Sequence, residues 1–152
     1  MPHESKSSPR EIQSYLGRIS GPLLDRIDLH VEVPPVKFRE ISGDRTGESS
    51  AQIRARVIAA RQRQHARFAA KRKITSNARM GPRELREFCA LDESTRQLLQ
   101  NAMTEYNLSA RAYDRILKVA RTIADLAGRD TVGSDHVSEA IQLRSLDRQL
   151  WG

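Results

Sequence analysis

The sequence predicts a mainly α protein, with a bundle of helices over residues 49–146 preceded by a short helix, a turn and a strand over residues 9–35. After residue 47, apolar residues recur at helical spacing in five successive stretches joined by short connections, the pattern of a helical bundle. Aromatic residues make up 5% of the chain and hydrophobic ones 38%, so the core has to be packed largely from Ala, Leu, Ile and Val. Ahead of the bundle, Leu29, Val31 and Val33 alternate with His30 and Glu32, a period of two that reads as a strand stopped by Pro34-Pro35. Residues 1–8 are expected to be a disordered tail or an appended remnant, 36–48 a linker, and 147–152 a tail on which Trp151 could dock.

Taken in order, Ser8-Pro9-Arg10-Glu11 is a helix start, with serine to cap, proline at the first position and glutamate in the first turn. Ile12, Tyr15, Leu16 and Ile19 follow at helical spacing. Gly21-Pro22 then opens a short helical turn anchored by Leu23, Leu24 and Ile27, which leaves Asp25 and Arg26 outward where the turn meets the strand. Ser42 to Gly47 is a loop, and Ser49 or Ser50 caps a long helix to about Ala70 with Ile53, Val57, Ala60 and Phe68 as its apolar stripe. Gly81-Pro82 opens a short helix from Arg83 to Ala90 with Leu85 and Phe88 inward. Asp92 caps the next, whose apolar face is Leu98, Leu99, Ala102, Met103 and Tyr106, and Asn107-Leu108 ends it. Ser109 caps the helix of clearest periodicity, with Tyr113, Ile116, Leu117, Ala120, Ile123, Ala124 and Ala127 inward and Gly128 closing it. Ser134 or Asp135 caps the last helix, which turns Val137, Ala140, Ile141 and Leu143 inward.

Composition excludes several classes of function. No apolar run approaches the length of a membrane span and the N-terminus lacks the apolar region of a signal peptide, so a cytoplasmic protein with no membrane partner is expected. The single cysteine, Cys89, rules out an internal disulfide framework and reads as a buried thiol beside Phe88. His3, His30, His65 and His136 have no metal-ligand spacing, so no metal site is expected. Lys and Arg number 26 against 19 Asp and Glu, a net charge of +7 that suits nucleic acid or acidic protein surfaces, with an arginine-rich proteome as the plain alternative.

Three groups of basic residues could carry chemistry. Arg26 sits at a rigid junction of turn and strand, a placement suited to reaching outside its own chain; the alternative is a surface pair with Asp25 or Asp28. Arg111 lies in the first turn of the Ser109 helix, where a positive side chain opposes the helix dipole at a cost that a bound anion would relieve. The third group is the long helix, which carries Arg54, Arg56, Arg61, Arg63 and Arg67 and runs on into Lys71, Arg72 and Lys73 with no acid among them. That run reads either as a phosphate-contacting face or as a solvated face pairing with acids of a neighbouring subunit, and it lacks the interleaved aromatics of a base-stacking platform.

The segment GPLLDRIDLHVEV, Gly21 to Val33, resembles the arginine-finger segment of the Mg-chelatase-like branch of AAA+ ATPases, and is most similar to its bacterial competence (ComM) type. Tyr15-Leu16-Gly17-Arg18-Ile19-Ser20, Gly47-Glu48-Ser49-Ser50-Ala51 and Ser109-Ala110-Arg111-Ala112-Tyr113-Asp114-Arg115-Ile116-Leu117 fit the same family in the same order. The resemblance implies a remnant of the αβ nucleotide-binding core followed by the family's helical lid. It also implies that Arg26 is an arginine finger acting on a neighbouring subunit's nucleotide and that Arg111 is the sensor-2 arginine, with Arg115 taking that place if the register is off by one turn. The Gly-rich phosphate loop, acidic Mg-binding motif and polar sensor of the family are missing from this sequence, which therefore resembles the C-terminal piece of such an ATPase.

The piece alone is expected to hydrolyse no ATP and to hold neither ATP nor Mg²⁺. The parent is expected to bind both in a homo-hexamer, with its own N-terminal core and neighbouring subunits as partners, and to couple hydrolysis to DNA branch migration in natural transformation. Two other readings stand beside this one: a free-standing helical module that holds DNA through Arg54, Arg61, Arg63, Arg67, Lys71, Arg72 and Lys73, and the lid of a chelatase subunit serving metal insertion into a tetrapyrrole.

Overall fold

The structure, a computed structural model, describes residues 8, 10, 14, 23, 26–31, 33, 47–71 and 73–144. Among these, five α-helices and one 3₁₀ turn follow in order: α1 (Ser50–Phe68), the turn Asn77–Arg79, α2 (Pro82–Phe88), α3 (Glu93–Glu105), α4 (Ala110–Leu126) and α5 (Ser134–Gln142). The chain is mainly helical, as the spacing of its apolar residues requires. The expected tails, the helix from Ser8 beyond its helical residues Arg10 and Ser14, most of the linker, Arg72 and the docking of Trp151 lie outside the described residues.

Local chemistry sets the helix ends. Ser49 accepts from the Gln52 amide at 3.3 Å while the Gln52 side chain accepts from the Ser49 amide at 2.9 Å, so each satisfies a donor the helix leaves open. Asp92 and Ser109 cap α3 and α4 by a single bond each, accepting from the Thr95 and Ala112 amides. The cap of α5 differs from expectation: Gly133 is the cap residue, and His136 Nδ1 reaches back to accept from its amide at 2.9 Å. At the other end of α4, Gly128 takes φ 70° and the Arg129 and Gly128 amides donate to Ala124 and Asp125, the paired bonds of a Schellman closure. Asn107, at φ 47°, does the same for α3.

α4 is the centre of the bundle, with α1, α2 and α5 all packed on it. Ala112, Ile116, Ala120 and Ala124 are fully buried along it, and Leu85, Leu99, Val132 and Val137 close around them from the other elements. Phe68 and Phe88 meet edge to face, with centroids 5.6 Å apart, and join α1 to α2. Cys89 is buried in this core and its Sγ donates to Leu117 O, as a structural thiol does.

Three further expectations need correction. The strand is not formed: Leu29, His30, Val31 and Val33 lie outside any β ladder. A lone strand has no partner for its backbone groups, and here the His30 amide donates at 2.6 Å to Leu143 O on the bundle. His30 is the buried residue of the segment, while Leu29, Val31 and Val33 face outward.

The stripe on α1 is also shorter than predicted. Ala60, Gln64 and Phe68 are buried, but every residue from 50 to 59, Ile53 and Val57 included, is exposed. α1 runs antiparallel to α4, and its contacts Arg63 to Gly128 and Asp130 already reach the far end of that helix. The preceding ten residues therefore overhang by about 15 Å at the standard rise per residue.

Finally, the apolar face of α4 is rotated from the expected one: Tyr113 and Ala127 are exposed, and Arg121 and Asp125 are buried in their stead.

Candidate functional site

The buried charges explain the rotation of α4. Asp125 is fully enclosed and accepts two bonds from Arg67, at 2.5 and 2.7 Å, one from Asn77 at 2.8 Å, and an ion pair from Arg121 at 3.1 Å. Arg121 also donates from Nη1 to the carbonyl of Asp130 and from Nη2 to that of Arg129, just past its own helix. Burial alone would raise the Asp125 carboxyl. Hydrogen bonds from Arg67 and Asn77, with the charges of Arg121 and Arg67, outweigh that and hold it below the ordinary carboxylate value. Desolvation dominates at Cys89, whose thiol is pushed up to about 11. A thiol held neutral in this way is a poor nucleophile, so Cys89 belongs to the packing.

The basic run of α1 divides along the helix. Arg63 donates to Asp130 at 2.7 Å and to Gly128 O at 2.8 Å, Arg67 grips Asp125, and Lys71 reaches Glu87 at 2.7 Å and Glu84 at 3.3 Å. Arg56 forms a two-pronged pair with Glu48. The acids that neutralise this run are thus in its own chain, and three of the residues read as nucleic-acid contacts (Arg63, Arg67 and Lys71) hold the bundle together. Arg54, Arg61 and Lys73 are exposed and make no ion pair among the described residues.

The second cluster lies at the N-terminal half of α4. Arg111 is exposed one position inside the helix, in a first turn that carries no acid, and it makes no ion pair among the described residues. Arg115, one turn on and half-buried, is ion-paired with Asp28. Asp28 follows Arg26, whose side chain is exposed and whose amide closes a turn onto Leu23 O at 2.9 Å. Two further bonds fasten the same segment to the end of the bundle: Arg144, itself buried, donates to Ile27 O at 2.9 Å, and the His30 amide donates to Leu143 O.

Residues 26–30 are therefore seated on the bundle beside α4, with an apolar groove of about 330 Å³ running between Leu29, Val119, Ile123, Leu126 and Leu143. Of the sequence-derived candidates, the structure attaches the Arg26 turn to the α4 turn that follows Arg111. Arg115 takes up the Asp28 carboxylate considered as a partner for Arg26. The Arg121–Asp125 pair was missed, although both fall four residues apart in line with Leu117 on the apolar stripe, a position where a charge has to find a partner.

The sequence profile of the magnesium chelatase subunit ChlI C-terminal family matches residues 47–144, the whole of the helical bundle. The chain belongs to this family. The profile of magnesium chelatase subunit ChlI matches residues 1–41, so the Arg26 segment falls within a second region of the same kind of protein. Among curated relatives, the competence protein ComM of Haemophilus influenzae is 43% identical over 148 residues, covering 96% of this chain and 28% of the relative. The uncharacterized protein YifB of Salmonella typhimurium is 40% identical over 149 residues, 97% of this chain and again 28% of the relative. An uncharacterized protein of Mycobacterium bovis is 40% identical over 131 residues, 86% of this chain and 25% of the relative. The chain thus spans little more than a quarter of the length of the first two. No helix among the described residues is long and apolar enough to cross a membrane.

Proposed function

We propose that this chain is the helical lid, with the arginine-finger turn, of a Mg-chelatase-like AAA+ ATPase. The observation that carries the reading is the division of labour between Arg111 and Arg115. Arg115 is bound to Asp28, while Arg111 stays exposed in an acid-free first turn, where backbone amides and a guanidinium together suit a phosphate. On this reading Arg111 is the sensor that meets the nucleotide's terminal phosphate, and Arg26 reaches the nucleotide of the neighbouring subunit.

A guanidinium placed on the transferring phosphoryl neutralises charge as it develops, an effect worth about 10³–10⁵ in rate. ATP with Mg²⁺ supplies the phosphoryl group and its charge-balancing ion. On this reading the ion's protein ligands belong to the part of the ATPase outside this chain. The outward row Ile27, Leu29, Val31 and Val33 suits packing against that same part.

On this reading the parent is a cytoplasmic hexameric ring that couples ATP hydrolysis to branch migration or remodelling of DNA; a relative named a competence protein supports a role in competence. The exposure of Arg54 on the overhang of α1 and of Arg61 just beyond it supports a contact with DNA phosphates, and so keeps a DNA-holding module as the second reading. The experiment that tests the first is ATP hydrolysis and ring assembly of the full-length protein, wild type against Arg26→Ala and Arg111→Ala. Hydrolysis is expected to collapse in both while assembly persists. Unchanged hydrolysis would remove both assignments and leave the basic helix as the site. Titration of this chain alone with ATP is expected to show no binding in the micromolar range.

A further inference from the structure

We infer that Arg115 and Asp28 form a strut that positions Arg26 relative to Arg111, so that the finger turn and the sensor helix move as one piece. The inference rests on the proposed roles of those two arginines. Asp28 is two residues from Arg26, and Arg115 is one helical turn from Arg111, so a single ion pair links the two functional positions. The Arg115 side chain is 28% exposed and that of Asp28 50%, and the segment on either side of Asp28 is pinned by Arg144 to Ile27 O and by the His30 amide to Leu143 O. Those two bonds fix where the segment lies on the bundle. Neither reaches toward the N-terminal half of α4, where Arg111 stands, and the Asp28 pair alone among the three does so. A planar, permanently charged guanidinium is suited to this task because it holds direction as well as distance.

The consequence is mechanical. When the lid shifts on binding or losing nucleotide through Arg111, the Arg26 turn is carried with it, and the state of one site is passed to the finger serving the next. Misplacing a catalytic group by about 1 Å can cost on the order of 10²-fold in rate, so a strut of this kind acts on turnover rather than on nucleotide affinity. Arg115 and Asp28 are positioning residues and touch no substrate.

The test uses the full-length ATPase in wild-type and Arg26→Ala backgrounds. Arg115→Ala and Asp28→Ala are each expected to lower kcat by roughly 10-fold to 10²-fold with KM for ATP unchanged. Neither is expected to lower it further in an Arg26→Ala background, and the charge exchange Asp28→Arg with Arg115→Asp is expected to recover most of the loss. A fall in hydrolysis for Arg26→Ala with none for Arg115→Ala or Asp28→Ala would overturn the strut and leave the finger standing. A raised KM for Arg115→Ala with a silent Asp28→Ala would put Arg115 on the nucleotide itself and also overturn it. A silent Arg26→Ala would fail the finger reading and the strut with it. In this chain alone, hydrogen exchange at the His30 amide is expected to speed up in either single variant and slow again in the charge exchange; exchange unchanged in all three would contradict the strut.

Discussion

Two sets of arginines on the same bundle are used in opposite ways. Arg67 and Arg121 converge on a carboxylate with no exposed surface, and every bond they make is spent inside the chain. Arg26 and Arg111 point outward from a turn and from the first turn of a helix. The difference shows that a basic residue's role follows from where its counter-charge sits. An arginine whose partner lies in the fold sets the geometry of the fold, and one such as Arg111, in a first helical turn that carries no acid, is available to an external anion. Arg115 stands between the two sets, since its partner is internal but belongs to the segment that carries Arg26.

The sharpest way to break this contrast is at the shared carboxylate. Asp125→Ala would leave Arg67 and Arg121 buried without their counter-charge, and a loss of about 3–5 kcal/mol in chemical denaturation is expected. A loss as small as that of a surface substitution would mean that the network is ornamental. The same group gives a pH signature. Its folded value lies below the unfolded one of about 3.9, so its contribution is complete above that pH and is lost as pH falls through the lower folded value. Asp125→Asn should therefore flatten the acid limb of the stability profile, measured from neutral pH downward.

Gly128→Ala probes the loop that supplies Arg63 with a carbonyl. At φ 70° an L side chain is strained, and a cost of about 1–2 kcal/mol is expected in thermal unfolding, although a new Cβ would meet nothing closer than Arg63 Nη2 at 3.9 Å. The smallest effect belongs to the exposed arginines on and just beyond the overhang. Arg54→Ala with Arg61→Ala should shift stability by no more than about 0.5 kcal/mol, while a fall in DNA affinity and in its salt dependence would give that exposed face a function.

Most features decided within one turn of chain were legible beforehand, the cap of α5 at Gly133 being the exception. Ser49, Asp92 and Ser109 cap where their spacing says, and Gly128 closes α4, because a cap needs only a side chain and an amide three residues away. What depends on distant partners was not. Arg121 and Asp125 look like surface charges until Arg67 arrives from another helix. Ile53 and Val57 look like core until α4 ends beneath them, and Leu29 to Val33 look like a strand without a neighbour to complete it. The candidate site divides in the same way. The sequence singled out Arg26 and Arg111 by their motif, but only the fold shows that Arg115 is ion-paired with Asp28.

The most direct test of the external role of Arg26 and Arg111 is ATP hydrolysis by the full-length protein carrying Arg26→Ala or Arg111→Ala, with the thermal stability of this chain measured for the same substitutions. Hydrolysis lost by about 10³-fold or more for the finger, with stability unchanged, is the predicted result. Full hydrolysis in both variants, or a loss that merely tracks unfolding of the bundle, would contradict it.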